Sequence, residues 1–319
     1  MAAEDFVAEP QTAALLARMA ADFADAPADP TIAERREALR VMSALYGPPP
    51  APVAKIEDLS VPGPEGAIPL RIYRPLDQEA GAPLILHLHG GGWTVGDPDA
   101  YAPVCRAYCA AAGAVVVDVH YRRAPEHRYP AALEDAEAAL AWAAANAGAL
   151  GADPRRLVVA GDSAGGNLAA ALCQRSPVPL ALQVLVYPVL SAQADAAFPS
   201  RAALGDGRFF LREFDIKRAE REYLADPAQG DEPGASPLLA DAAALRGLPP
   251  TLIVVAGLDP LRDEARAYAD RLAAEGAPVT FDCVDGVIHG FVLFAGAIAL
   301  GRTAIARIGE AVRTATATP

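Results

Sequence analysis

Gly161-Asp162-Ser163-Ala164-Gly165 places a serine between two glycines, with a further glycine at 166. A serine hydroxyl attacks a carbonyl only when a neighbour removes its proton. Five histidines could serve: His87 and His89 beside a glycine run, His120 and His127 flanking YRRAPEHRYP, and His289 in DGVIHGF. A histidine base needs an acid to orient it. Asp259 in AGLDPLRDE stands where an apolar run ends, and Pro260 opens the next segment at a position helices favour. Asp285, four residues before His289, is its rival, whereas Asp263 and Glu264 suit support of a helix dipole.

LILHLHGGGW, residues 84–93, adds a second chemical element. Three consecutive glycines are costly to order. Acyl transfer builds charge on a carbonyl oxygen, and fixed N–H donors stabilise it best where water is excluded. A glycine loop can present two donors and the Ala164 amide a third, and side chains on the loop would obstruct the substrate.

These residues need a scaffold. Residues 11–25 and 31–46 read as amphipathic helices, the second opened by a capping box of Thr31 and Glu34 and ended by GPPP at 47–50. Residues 53–61, 67–74 and PLILHLH read as strands. Strands at 114–120, 156–162, 180–188, 251–257 and 279–284 then alternate with helices at 101–112, 130–147, 163–175, 260–275 and 293–314. Apolar strands separated by helices predict an α/β fold: a mostly parallel central sheet with helices on both faces. Ser163 then sits on a sharp strand-to-helix turn, and the order Ser163, Asp259, His289 is that of α/β-hydrolase triads. Residues 192–235 break the rhythm and read as an insertion at the carboxyl edge of the sheet, where such folds bind ligands. The expected organisation is an N-terminal helical cap segment at 1–50, core at 51–191, cap insertion at 192–235 and core again at 236–319.

The formal charge is 27 − 40 = −13, which disfavours nucleic acid and anionic membranes as partners. The acidic N-terminus lacks the basic region of a secretory signal, and no window suits a transmembrane helix, so a cytoplasmic protein without membrane insertion is expected. Cys105, Cys109, Cys173 and Cys283 are expected as buried free thiols, because no histidine accompanies the first two in the manner of a zinc site. Arg122, Glu126 and Asp162 are expected in ion pairs that brace the site. Trp93, Tyr187, Phe209, Phe210 and Phe214 are candidates for an acyl pocket.

HGGGW, YRRAPEH, GDSAGGN, DPLRDE and IHGF, in this order, resemble the hormone-sensitive lipase family of α/β-hydrolases, specifically its bacterial carboxylesterases. The resemblance runs from about residue 66 to the C-terminus. It implies Ser163 as nucleophile, Asp259 as acid and His289 as base, with Gly91, Gly92 and the Ala164 amide as oxyanion hole. It implies that Gly90 and His89 support the loop, and it implies an N-terminal helical cap and an insertion after the sixth strand. The expected activity is hydrolysis of short- to medium-chain carboxylic esters through an acyl-enzyme, with no metal or organic cofactor and a small-molecule ester as partner. The sequence admits a homodimer. Amide hydrolysis or acyl transfer through the same triad, or a non-catalytic binding role, are the alternatives.

Overall fold

A computed structural model describes residues 6–317. Residues 1–5 of the expected segment 1–50, and the last two of 236–319, lie outside the described residues. Helices α1 (Pro10–Asp22) and α2 (Ile32–Tyr46) precede the sheet. The capping box on α2 is present, with Thr31 N donating to Glu34 and Glu34 N to Thr31 Oγ1. The strands are β1 (Lys55–Gly63), β2 (Gly66–Arg74), β3 (Ala82–Leu88), β4 (Val115–Val119), β5 (Ala152–Asp162), β6 (Leu182–Val186), β7 (Thr251–Leu258) and β8 (Val279–Ile288). They form one sheet in the order β1-β2-β4-β3-β5-β6-β7-β8. Pairs β1–β2 and β2–β4 are antiparallel and the others parallel, as the alternation of strands and helices predicts.

The remaining helices are α3 (Pro98–Ala112), α4 (Ala131–Asn146), α5 (Ala164–Arg175), α6 (Pro199–Leu204), α7 (Glu213–Tyr223), α8 (Ala242–Leu245), α9 (Arg262–Ala274) and α10 (Ala299–Ala315). Strands β3, β4, β6 and β7 are buried at every residue, which explains their unbroken apolar runs. Alternate residues still sort by face. Leu84, Leu86, Val117 and Val159 pack with α4, α5 and α9, whereas Ile85, Val116, Val158 and Val184 pack with α3 and α10. His87 and Asp118 are register partners in β3 and β4, and this alternation turns them toward α3.

Several expectations need correction. Helix α10 begins at 299 rather than 293, because the preceding turn is drawn aside: Gly296 N donates to Tyr46 O at 2.9 Å. Strand β8 runs on to Ile288, beyond the expected 284, so His289 follows it directly. Cys105, Cys109 and Cys173 are buried free thiols, but Cys283 is exposed. A histidine does accompany Cys105: its Sγ lies 3.4 Å from His87 Nδ1. Arg122 pairs with Asp135 at 3.0 Å and Glu126 with Arg36 at 2.7 Å, as expected. Asp162 differs, because its carboxylate accepts from Gly90 N–H and the Tyr101 hydroxyl, both at 2.9 Å.

The N-terminal helices are tied down by arginines. Arg35 of α2 pairs with Glu222 of α7 at 2.7 Å, and Arg40 with Asp97 at the start of α3 at 2.8 Å. Helices α6 and α7 leave the carboxyl end of β6 and return before β7. Among the described residues, no helix is long and apolar enough to cross a membrane.

Candidate active site

Ser163, Asp259 and His289 come from the carboxyl ends of β5, β7 and β8, strands that lie on one side of the sheet. Ser163 has φ 53° and ψ −119°, a region that costs a non-glycine residue about 1–3 kcal/mol. Backbone bonds hold it there. Its N–H donates to Val186 O at 2.9 Å, and its carbonyl accepts from Asn167 N at 3.0 Å and Val189 N at 3.1 Å. The turn admits no bulk: a Cβ on Gly165 would collide with Leu88 O, and one on Gly161 with Gly165 O.

His289 Nε2 lies 2.9 Å from Ser163 Oγ, and its Nδ1 lies 2.7 Å from Asp259 Oδ2. A carboxylate accepts, so Nδ1 carries the proton and Nε2 is free to accept from the serine hydroxyl. Asp259 is fully buried, and its other oxygen accepts from Leu261 N at 2.9 Å, which fixes the carboxylate plane. The series can move a proton from Oγ to imidazole while the acid steadies the resulting charge. Asp285 is exposed, and Asp259 holds the nitrogen it would have needed.

The other histidines stand apart from this series. His89 is buried, stacks on Tyr121 at 4.3 Å and binds Gly90 O through Nδ1 at 2.9 Å; burial pushes its pKa down to about 4. His120 is half-buried and His127 exposed. Asp263 accepts from Ser200 N at 2.9 Å, and Glu264 pairs with Arg201 at 2.7 Å.

Each glycine of the loop answers a different neighbour. A Cβ on Gly90 would fall 2.5 Å from Asp162 Oδ2 and 2.8 Å from Tyr101 Oη. Gly91 has φ +112°, and a Cβ there would meet Val95 O; Gly92 has φ +58° and would press Ala219 of α7 at 2.9 Å. Packing by itself therefore excludes side chains from the loop, a reason the sequence reading did not include. Gly91 O accepts from Thr94 N at 3.1 Å and Val95 N at 2.9 Å, closing a tight turn. Among the described residues the N–H groups of Gly91, Gly92 and Ala164 have no acceptor. Ala164 opens α5, where amide donors are unpaired and the helix dipole is positive.

A cavity of about 310 Å³ opens beside Ser163 and His289, with Gly91, Gly92, Trp93 and Tyr187 in its wall. Trp93 stacks on Tyr223 at 4.2 Å, and Tyr187 lies 4.7 Å from the His289 ring. Phe210 lines the cavity and meets Phe294 edge-on, but Phe209 and Phe214 do not line it. Phe209 is buried in the core under Arg208, and Phe214 is exposed beneath Arg212 and Arg218. Leu39 and Met42 of α2 and Ile216 and Ala219 of α7, not among the expected pocket residues, complete the apolar wall. Their signal was the spacing of three on each helix, which puts each pair on one face.

The family described as alpha/beta hydrolase fold matches residues 85–293. The chain is 43% identical over 278 residues to carboxylic ester hydrolase LipN of Mycobacterium tuberculosis, covering 83% of this chain and 71% of the relative. It is 37% identical to ethyl acetate hydrolase of Pseudomonas putida, covering 81% and 82%. A solved hyperthermophilic esterase from Pyrobaculum calidifontis superposes with a TM-score of 0.90 at 35% identity, covering 97% of this chain and 99% of the other. The chain belongs to the α/β-hydrolases, in their hormone-sensitive lipase family.

Proposed function

We propose that this enzyme is a serine carboxylesterase that cleaves short- to medium-chain carboxylic esters through an acyl-enzyme. The observation that carries the reading is the unbroken series from Ser163 Oγ through the His289 ring to Asp259, at 2.9 and 2.7 Å. Ser163 attacks the ester carbonyl as His289 takes its proton; the imidazolium then protonates the leaving alcohol. Water, activated by the same nitrogen, releases the acid. Gly91, Gly92 and Ala164 donate their free amides to the oxyanion, and Ala164 adds the field of a helix N-terminus.

Residues 1–50 and 192–235 act as the cap, over a core of 51–191 and 236–319. Support comes from the wall of the cavity, which draws Leu39 and Met42 from one and Phe210 and Ile216 from the other. About 310 Å³ is at the small end for ligand sites, which favours compact acyl groups over long chains. The names of the curated relatives, a carboxylic ester hydrolase and an ethyl acetate hydrolase, support the same substrate class. Four unpaired cysteines suit a reducing compartment, and we place the enzyme in the cytoplasm.

The test is a panel of chromogenic esters from acetate to palmitate, assayed beside Ser163→Ala. Activity that peaks at short to medium chains and vanishes in the variant is expected. A folded wild type inactive on the whole panel overturns the reading. Matching amides and competing alcohols in the same assay separate hydrolysis of esters from the two related chemistries.

A further inference from the structure

His87, Cys105 and Asp118 converge in the interior from β3, α3 and β4, and none is more than 1% exposed. Register places His87 opposite Asp118, and the alternation of both strands aims them at α3, where Cys105 waits. His87 Nδ1 lies 2.8 Å from Asp118 Oδ1 and 3.4 Å from Cys105 Sγ. All three donor atoms fall within 4.8 Å of one another.

As a hydrogen-bonded cluster this arrangement is incomplete. Asp118 Oδ2 and His87 Nε2 are both buried without a partner. A buried carboxylate with one bare oxygen is costly. Nδ1 is shared between an acid and a thiol, while the opposite ring nitrogen has none within bonding distance. Its nearest recorded neighbour of opposite character is Asp162 Oδ1 at 4.0 Å.

We propose that His87 Nδ1, Cys105 Sγ and both oxygens of Asp118 form a structural site for one zinc ion. Imidazole, thiolate and carboxylate together are a donor set that zinc accepts. With Asp118 chelating through both oxygens, three residues bring the donor count to four, in a shell narrowed at the carboxylate. Nitrogen, oxygen and sulfur donors from different residues around zinc stand about 3.3–3.6 Å apart, by their usual bond lengths. The present separations of 2.8 and 3.4 Å reach that with sub-ångström movement.

The site accounts for both bare atoms. Asp118 Oδ2 becomes the fourth donor. Ligation through Nδ1 leaves the ring proton on Nε2, 4.0 Å from Asp162 Oδ1, and a shift of about an ångström brings that carboxylate into a hydrogen bond that steadies a metal-bound imidazole from outside. One carboxylate and one thiolate balance the dication, and the thiol proton leaves to solvent on binding. Through Asp162 the ion stiffens Gly90 and the residue before Ser163.

Elemental analysis of the purified full-length chain, passed over a chelating resin, is expected to find one zinc per chain. Zinc-edge X-ray absorption should then report one sulfur and three lighter nitrogen or oxygen scatterers. Chain produced with cobalt should show a thiolate-to-cobalt band in the near ultraviolet, kept in Cys109→Ser and lost in Cys105→Ser. A folded, active wild type that takes up neither metal overturns the proposal and leaves a hydrogen-bonded cluster. A different donor set at the zinc edge, or a cobalt band that survives in Cys105→Ser, overturns it too.

Discussion

Arg36 Nε on α2 donates to Thr94 O at 2.9 Å, so an N-terminal helix holds the turn that follows Gly91 and Gly92. The same guanidinium clasps Glu126 at 2.7 and 2.8 Å. Amides that stabilise charge only in the transition state must be positioned to fractions of an ångström. Arg36→Ala should lower kcat about tenfold with KM nearly unchanged. Glu126→Gln keeps the bond to Thr94 and should stay close to wild type. Steady-state kinetics on one ester decide; equal losses in both variants assign the effect to the ion pair instead.

The two candidate acids separate cleanly by substitution. Asp259→Asn should cost about 10⁴ in kcat, because the amide cannot hold the needed tautomer of His289. Asp285→Asn, on an exposed position, should cost little. Ser163→Ala and His289→Ala should each lose on the order of 10⁵–10⁶. Labelling of Ser163 by an organophosphate, followed by mass spectrometry, checks the nucleophile directly; a label elsewhere with Ser163 untouched removes it from that role.

Gly92 links the glycine loop to the insertion. Its Cβ, if present, would stand 2.9 Å from Ala219 Cβ at a φ of +58°. If its amide serves as proposed, Gly92→Ala should reduce kcat about 10²-fold by displacing that donor. Adding Ala219→Gly removes the collision but not the backbone strain, so it should recover part of the loss. Purely additive effects in this double-mutant cycle would mean that α7 does not press on the loop.

Local chemistry was legible in the sequence, and distance in space was not. Apolar runs and periodicity revealed the strands leading to Ser163 and Asp259 because burial of the carboxyl half of β5 and of all of β7 leaves little room for polar residues. Glycine spacing revealed the two tight turns because close backbone approach excludes every other residue. Phe209 and Phe210 could not be told apart, since two adjacent rings of one residue type carry no mark of which is buried and which lines the cavity. The meeting of His87 with Asp118 depends on β3 and β4 pairing in register, and that with Cys105 on α3 packing against the sheet, neither of which is encoded by spacing along the chain. Asp162 looked like an ion-pair partner because it is charged; its hydrogen-bond partners are an amide and a phenol contributed by the fold, with the His87 ring 4.0 Å away.

Glu220 of α7 should make stability depend on pH. It is 4% exposed and lies 3.2 Å from Arg201 Nη1, whose guanidinium also serves Glu264 of α9 at 2.7 Å. Burial pushes Glu220 up to about 7 from an ordinary 4.5, against the pull of Arg201 and Lys217 and with the push of Glu264. A folded pKa above the unfolded one means that the native state binds more protons between those values. The contribution is therefore complete below about pH 4.5 and is lost as pH rises through about 7. Glu220→Gln does not titrate, so it provides the reference. The stability of wild type relative to this variant should fall by on the order of 1–3 kcal/mol from pH 4.5 to 8. Urea unfolding of both proteins across that range measures the difference. A constant difference would show that Glu220 keeps one protonation state throughout, with Arg201 holding it charged in the folded enzyme.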